Sequence, residues 1–124
     1  MTLRVVVADD EHDVCLMLRM QLGAQPDIEV VGAAADGSEA LELCRELAPD
    51  AVVMDLLMPV MNGFQAIETL QQELPGVAVV AYTGVAGEFV RTEMARMDVP
   101  LVLKSGDVTP LVDAIRRAAP DRSV

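Results

Sequence analysis

The sequence predicts an α/β protein: a (βα)5, doubly wound, five-stranded parallel sheet. Three observations carry that expectation. Five short β-type runs recur along the 124 residues, each is followed by a stretch of helical periodicity, and the runs are nearly continuous in apolar residues rather than alternating. Strands read that way when helices cover a parallel sheet on both faces.

The first run, LRVVVA at Leu3–Ala8, leads into a helix with Val14, Met17, Leu18 and Leu22 on one face. IEVVGA at Ile28–Ala33 precedes a helix presenting Ala40, Leu41, Cys44, Leu47 and Ala48, with Ser38 as its N-cap. AVVM at Ala51–Met54 precedes a third helix that begins at Asn62-Gly63 and presents Ile67, Leu70 and Leu74. VAVVAY at Val77–Tyr82 precedes a fourth, around Glu88 to Met97, whose pattern is the weakest of the five. PLVL at Pro100–Leu103 opens on a proline, which edge strands and strand starts tolerate, so this strand is placed at an edge. Thr109 as N-cap and Pro110 at the first helical position start the fifth helix, with Leu111, Ile115 and Ala118 inward. In the flavodoxin-like order 2-1-3-4-5, usual for five such strands, a crevice opens beyond the carboxyl ends of strands 1 and 3. Function is expected there.

Composition narrows the partners. The size is that of one domain, and 52% hydrophobic residues support a globular core. The longest uncharged stretches, such as Leu74 to Gly87, are short and broken by Pro and Gly, and MTLRVVVADDE does not read as a signal peptide, its apolar part being brief and running into acids. A cytoplasmic protein without a membrane partner is the expectation. Twenty acids against nine bases, net −11, argue against direct nucleic-acid binding by this segment and fit a metal site, a basic partner or a soluble surface. Cys15 and Cys44 fall within helical patterns and read as buried structural thiols.

The strand ends carry the chemistry. Strand 1 ends in Asp9-Asp10-Glu11, strand 3 in Asp55, strand 4 in Tyr82-Thr83-Gly84 and strand 5 in Lys104-Ser105. Asp55 interrupts the apolar AVVMDLLMP, and an isolated buried carboxylate costs on the order of several kcal/mol, so either the strand stops there or a cation compensates. Oxygen ligands without nearby His or Cys suit a hard ion, Mg2+ above all. Lys104, Thr83 and the backbone N–H of Gly84 would add a point charge, a hydroxyl and an open amide around a tetrahedral anion such as a phosphoryl group. Lys104 is the one lysine; the other eight bases are arginine. Taken singly these residues are ordinary: acids suit a first helical turn, Thr83 suits a strand, Lys104 suits a solvated strand end, and His12 is read as an exposed first-turn residue. Only the combination is specific.

ADDE (8–11), VVMDLLMPVMNG (52–63), AYTG (81–84) and LVLKS (101–105) resemble the four signatures of the receiver (CheY-like) domain of two-component response regulators, in order and over about residues 2–119. PDIEVVGAAADGSEALEL and the Ser105-Gly106 after Lys104 are most similar to receivers of the NarL/LuxR type, which precede helix-turn-helix output domains. The resemblance implies that Asp55 is the phosphoacceptor, served by a sensor histidine kinase. It implies Mg2+ held by Asp10, Asp55 and the main-chain carbonyl of Leu57 with Asp9 supporting its waters, and phosphoryl oxygens held by Thr83, Gly84 and Lys104. It implies an output surface of helix 4, strand 5 and helix 5 that acts on an output domain or target protein, with a homodimer of receivers left open. Residues 1–119 are then the receiver and 120–124 a tail or the start of a linker.

Two departures from the resemblance matter. Many receivers carry an aromatic residue three positions before the lysine, where this chain has Leu101, and Tyr82 should point away from Thr83. Leu57 and Val85 are apolar where many relatives carry polar groups that orient an attacking water, which predicts slow loss of the phosphoryl group. An aspartyl-phosphate hydrolase would want a carboxylate at Leu57, and a flavin carrier a phosphate loop where Asp9-Asp10-Glu11 stands. A stand-alone regulator acting through protein contacts is the remaining alternative to a transcription-linked receiver.

Overall fold

The computed structural model describes residues 2–84 and 87–119; Val85 and the predicted tail at 120–124 lie outside the described residues. The elements are β1 (Leu3–Ala8), α1 (His12–Gly23), β2 (Ile28–Ala34), α2 (Gly37–Leu47), β3 (Ala51–Met54), α3 (Gly63–Glu73), β4 (Ala78–Thr83), α4 (Glu88–Arg96), β5 (Leu101–Leu103) and α5 (Thr109–Ala118). The strands pair in parallel in the order β2-β1-β3-β4-β5, with β5 at an edge as its proline predicts.

Alternation along each strand feeds two cores. Val6, Ala8, Val52, Met54, Val79 and Ala81 face α2 and α3, where Leu41, Cys44, Ile67 and Leu70 meet them. Val5, Val7, Val53, Val80 and Tyr82 face α1 and α5, against Leu18, Leu22, Leu111 and Ile115. Because both faces are covered, neither set of alternating positions is free to be polar, and the strands read as unbroken apolar runs. Both cysteines are buried in these cores and unpaired.

Several boundaries differ from the sequence expectation for local reasons. β2 extends to Ala34, and β4 starts at Ala78 and takes in Thr83. β5 starts after Pro100, which has no N–H to give the ladder, although its carbonyl still accepts the Ala81 amide at 2.9 Å. α2 is capped by Asp36, not Ser38: the chain is extended at Asp36, and its Oδ1 accepts the Glu39 amide at 2.8 Å. At α5, Thr109 is already helical and Asp107 Oδ1 accepts its amide at 3.0 Å. Cys15, not Val14 or Met17, joins Leu18 and Leu22 as a fully covered position of α1. Ala48 leaves the face of α2 altogether, ending the helix in the left-handed region at φ 45°. The Arg4 guanidinium donates to the Leu47 carbonyl at 2.6 Å and the Ala48 carbonyl at 3.3 Å, satisfying acceptors that a helix C-terminus leaves open.

Candidate functional site

β3 stops at Met54, and Asp55 stands just past it at the carboxyl edge of the sheet. The Asp55 amide donates to the Ala8 carbonyl at 2.9 Å, so the end of β1 sets its height. One strand over, the Asp9 amide donates to the Ala34 carbonyl at 3.0 Å, while Asp9 Oδ1 accepts the Glu11 amide at 2.9 Å. Both carboxylates are buried, at 2% and 5% exposure. From the far side, β4 ends on the buried Thr83, whose carbonyl accepts the Lys104 amide at 2.9 Å. That bond starts the Lys104 side chain toward the crevice. Its Nζ lies 2.6 Å from Asp9 Oδ2 and 3.4 Å from Asp55 Oδ2.

Two buried like charges sharing one cation define the electrostatics. Burial, then the charge of Asp9, pushes the Asp55 carboxyl above the ordinary carboxylate value, while Lys104 and the Leu57 amide, 3.4 Å from Oδ1, pull the other way. Burial works against the Lys104 ammonium, but Asp9 and Asp55 outweigh it and raise its pKa. Asp9 Oδ2 is shielded from solvent, and the Lys104 ammonium at 2.6 Å stands against it. One carboxylate oxygen from each of Asp9, Asp10 and Asp55 lies within 4.8 Å of the others, with Asp10 reaching in from the solvent side. Three carboxylate oxygens gathered this closely, two of them from buried residues and with no nitrogen or sulfur ligand among them, fit a hard divalent cation.

The residues singled out in the sequence are thus distributed as follows. Asp9, Asp10, Asp55 and Lys104 converge. Thr83 ends the neighbouring strand on the same side as Ala81, while Tyr82 is buried in the opposite core, as alternation requires. Gly84 is exposed, and an added Cβ there would meet nothing within 4 Å, so its open amide does not depend on the missing side chain. Leu57 is exposed, its amide turned to Asp55. Glu11 and His12 are exposed, and Glu11 is not part of the carboxylate cluster. Leu101 packs half-buried against the core on the α3 and α4 side.

Two residues escaped the sequence reading. A Cβ on Gly63 would collide with the Asp55 carbonyl oxygen and lie 2.7 Å from Leu56 Cα, so α3 can begin against the acceptor strand only with glycine there. Gly37 makes the same kind of approach to Met61. The only sequence signal for either is its place in Asn62-Gly63 and Asp36-Gly37, which reads equally as turn chemistry.

Comparison with known proteins agrees with this geometry. A family model described as the response regulator receiver domain matches residues 5–116. The transcriptional regulatory protein LiaR of Bacillus subtilis is 36% identical over 118 residues, covering 94% of this chain and 56% of LiaR. The response regulator protein VraR of Staphylococcus aureus is 36% identical over 126 residues, covering 100% of this chain and 60% of VraR. The chain therefore spans less than two thirds of the length of these relatives. The crystal structure of a LuxR-family two-component response regulator from Aurantimonas superposes with a TM-score of 0.89 at 31% identity, over 97% of this chain and 86% of that one. A parallel sheet in the order 2-1-3-4-5, acids and a lysine gathered at its carboxyl edge, and a family match across nearly the whole chain lead to one conclusion: the chain belongs to the receiver domain family of two-component response regulators.

Proposed function

We propose that Asp55 accepts a phosphoryl group from the phosphohistidine of a sensor histidine kinase. The observation that carries this reading is the Lys104 ammonium shared between Asp9 and Asp55 beside a three-carboxylate cluster. A carboxylate oxygen of Asp55 attacks phosphorus, the O–P bond forms as the P–N bond breaks, and the departing imidazole takes its proton from water. Lys104, part-exposed and on a flexible stem, passes from the Asp55 carboxylate to the new phosphoryl oxygens. The Thr83 hydroxyl and the Gly84 amide offer further donors at the end of β4. Asp9, Asp10, Asp55 and the Leu57 carbonyl would hold Mg2+, which when bound neutralises charge on the carboxylate and the phosphoryl oxygens. Chemistry by the domain itself ends with its own phosphorylation and dephosphorylation.

The added charge biases a two-state surface of α4, β5 and α5. α4 fully buries one residue, Met94, which makes it the helix least tied to the sheet and the element most easily displaced. Residues 1–119 act as the receiver, with 120–124 a C-terminal tail or the start of a linker, and the output served is transcription, a reading supported by relatives named as transcriptional regulators and LuxR-family proteins. The segment itself, at net −11, is not the nucleic-acid reader. None of the helices among the described residues is long and apolar enough to cross a membrane, and the cytoplasm, where the kinase presents its phosphohistidine, is the proposed location.

The adduct formed with Mg2+ and an acyl phosphate should be labile to hydroxylamine and map to the peptide containing Asp55; an adduct on any other residue contradicts the assignment. Its lifetime should depend on Leu57, whose exposed apolar side chain offers no hydrogen bond to align a water at phosphorus. Leu57→Asn is expected to shorten the phosphoryl half-life at least twofold, measured by the decay of the phosphorylated mass. An unchanged half-life would remove Leu57 from the account.

A further inference from the structure

The loop between Asp55 and α3 is pinned at three backbone points. The Asp55 amide bonds the Ala8 carbonyl at 2.9 Å, the Gly63 amide bonds the Leu56 carbonyl at 3.1 Å, and between them the Met61 carbonyl accepts the Gly37 amide at 2.8 Å. The third point comes from outside the site. Gly37 is the first residue of α2, so its amide is one of the donors a helix leaves without an intrahelical partner, and the loop supplies the acceptor. The approach requires glycine: a Cβ at position 37 would collide with the Met61 carbonyl oxygen and stand 3.0 Å from Met61 Cγ. Immediately before Met61, the β-branched Val60 is held at φ 67° although the residue is 86% exposed. A conformation so unfavourable for valine persists where the surrounding structure over-determines it, and its own side chain packing does not.

Resting on the metal-dependent reading above, we propose that Gly37 is a positioning residue for the cation site: it docks the first turn of α2 onto the Met61 carbonyl and so holds the loop that presents Asp55 and the Leu57 backbone to Asp9 and Asp10. Gly37 contacts neither ion nor phosphoryl group. Coupling of this kind is reciprocal, so a cation that fixes the loop also tightens the Gly37 to Met61 hydrogen bond.

The test compares Mg2+ affinity, by calorimetry or NMR titration, of the wild type, Gly37→Ala and Asp36→Ala. Asp36→Ala removes the cap from the same helix turn but leaves the approach to Met61 open. Gly37→Ala is expected to weaken Mg2+ binding at least fivefold, and Asp36→Ala to bind within twofold of wild type. Hydrogen exchange supplies a readout on the unaltered protein: the Gly37 amide should exchange at least threefold more slowly at saturating Mg2+. Equal affinity of Gly37→Ala and wild type overturns the proposal. So does an equal loss in both variants, or, should Gly37→Ala fail to fold, an unchanged exchange rate at Gly37. A wild type that binds no Mg2+ refutes the metal site itself, and the proposal with it.

Discussion

Lys104→Met is expected to cost about 2–4 kcal/mol at neutral pH without added metal, on the order of 10 °C in Tm. The ammonium is the cation shared by two buried carboxylates, and no other basic side chain among the described residues forms an ion pair with either. Removing one partner of a fully buried pair costs roughly 3–5 kcal/mol; the smaller figure reflects the partial exposure of Lys104 and the ability of Asp55 to take up a proton. That last point fixes the pH dependence. Asp55 already has a raised folded pKa, held down in part by Lys104, and the variant raises it further. A carboxyl raised on folding costs stability only when ionised. The deficit is therefore largest above the folded value, shrinks as pH falls through it, and vanishes below the ordinary carboxylate range, where Asp55 is neutral in both states. Lys104, raised in the wild type, contributes stability below the ordinary lysine value and loses it as pH rises through its folded value, so the gap also closes in strong alkali. Thermal melts at pH 4 and pH 8 check this. A deficit below about 1 kcal/mol, or one equal at both pH values, contradicts a buried, cation-dependent carboxylate pair.

Gly63→Ala is expected to cost about 3 kcal/mol, the upper end of the range for overpacking. The added methyl meets backbone, the Asp55 carbonyl and Leu56 Cα, with no flexible side chain able to turn aside. Relief requires α3 to withdraw, which strains the Gly63 to Leu56 hydrogen bond and the reciprocal capping box of Asn62 and Gln65. Gly23→Ala is the control, since a Cβ at the end of α1 meets nothing within 4 Å and should leave stability within about 0.5 kcal/mol of wild type. Denaturant melts of the two variants should differ accordingly. A loss below about 1 kcal/mol for Gly63→Ala would mean that α3 does not need to sit against the acceptor strand.

What the sequence revealed and what it hid divide along physical lines. Sheet order and the placing of Asp9, Asp10, Asp55 and Lys104 at one edge follow from alternation and from chain order, which depend on near neighbours and on handedness. Glu11 looked equivalent to its two neighbours. It differs because Asp9 takes the Glu11 amide as its own partner and Glu11 itself is exposed, a consequence of where helix α1 begins. Asp36 and Ser38 are both good caps, and the choice between them rests on the extended backbone at Asp36. The Gly37 to Met61 approach joins residues far apart in the chain and depends on the path of a loop through a left-handed Val60, for which valine gives no local signal. Leu101, by contrast, was legible as a departure. It packs half-buried on the α4 side of the core, in the same cluster as Met94, without an aromatic ring.

The most direct test of the central claim is the intact mass of wild type and Asp55→Asn after incubation with Mg2+ and an acyl phosphate. The wild type should gain one phosphoryl group and Asp55→Asn none. A wild type that gains nothing, or a variant that gains as much, would contradict the assignment of Asp55 as the acceptor.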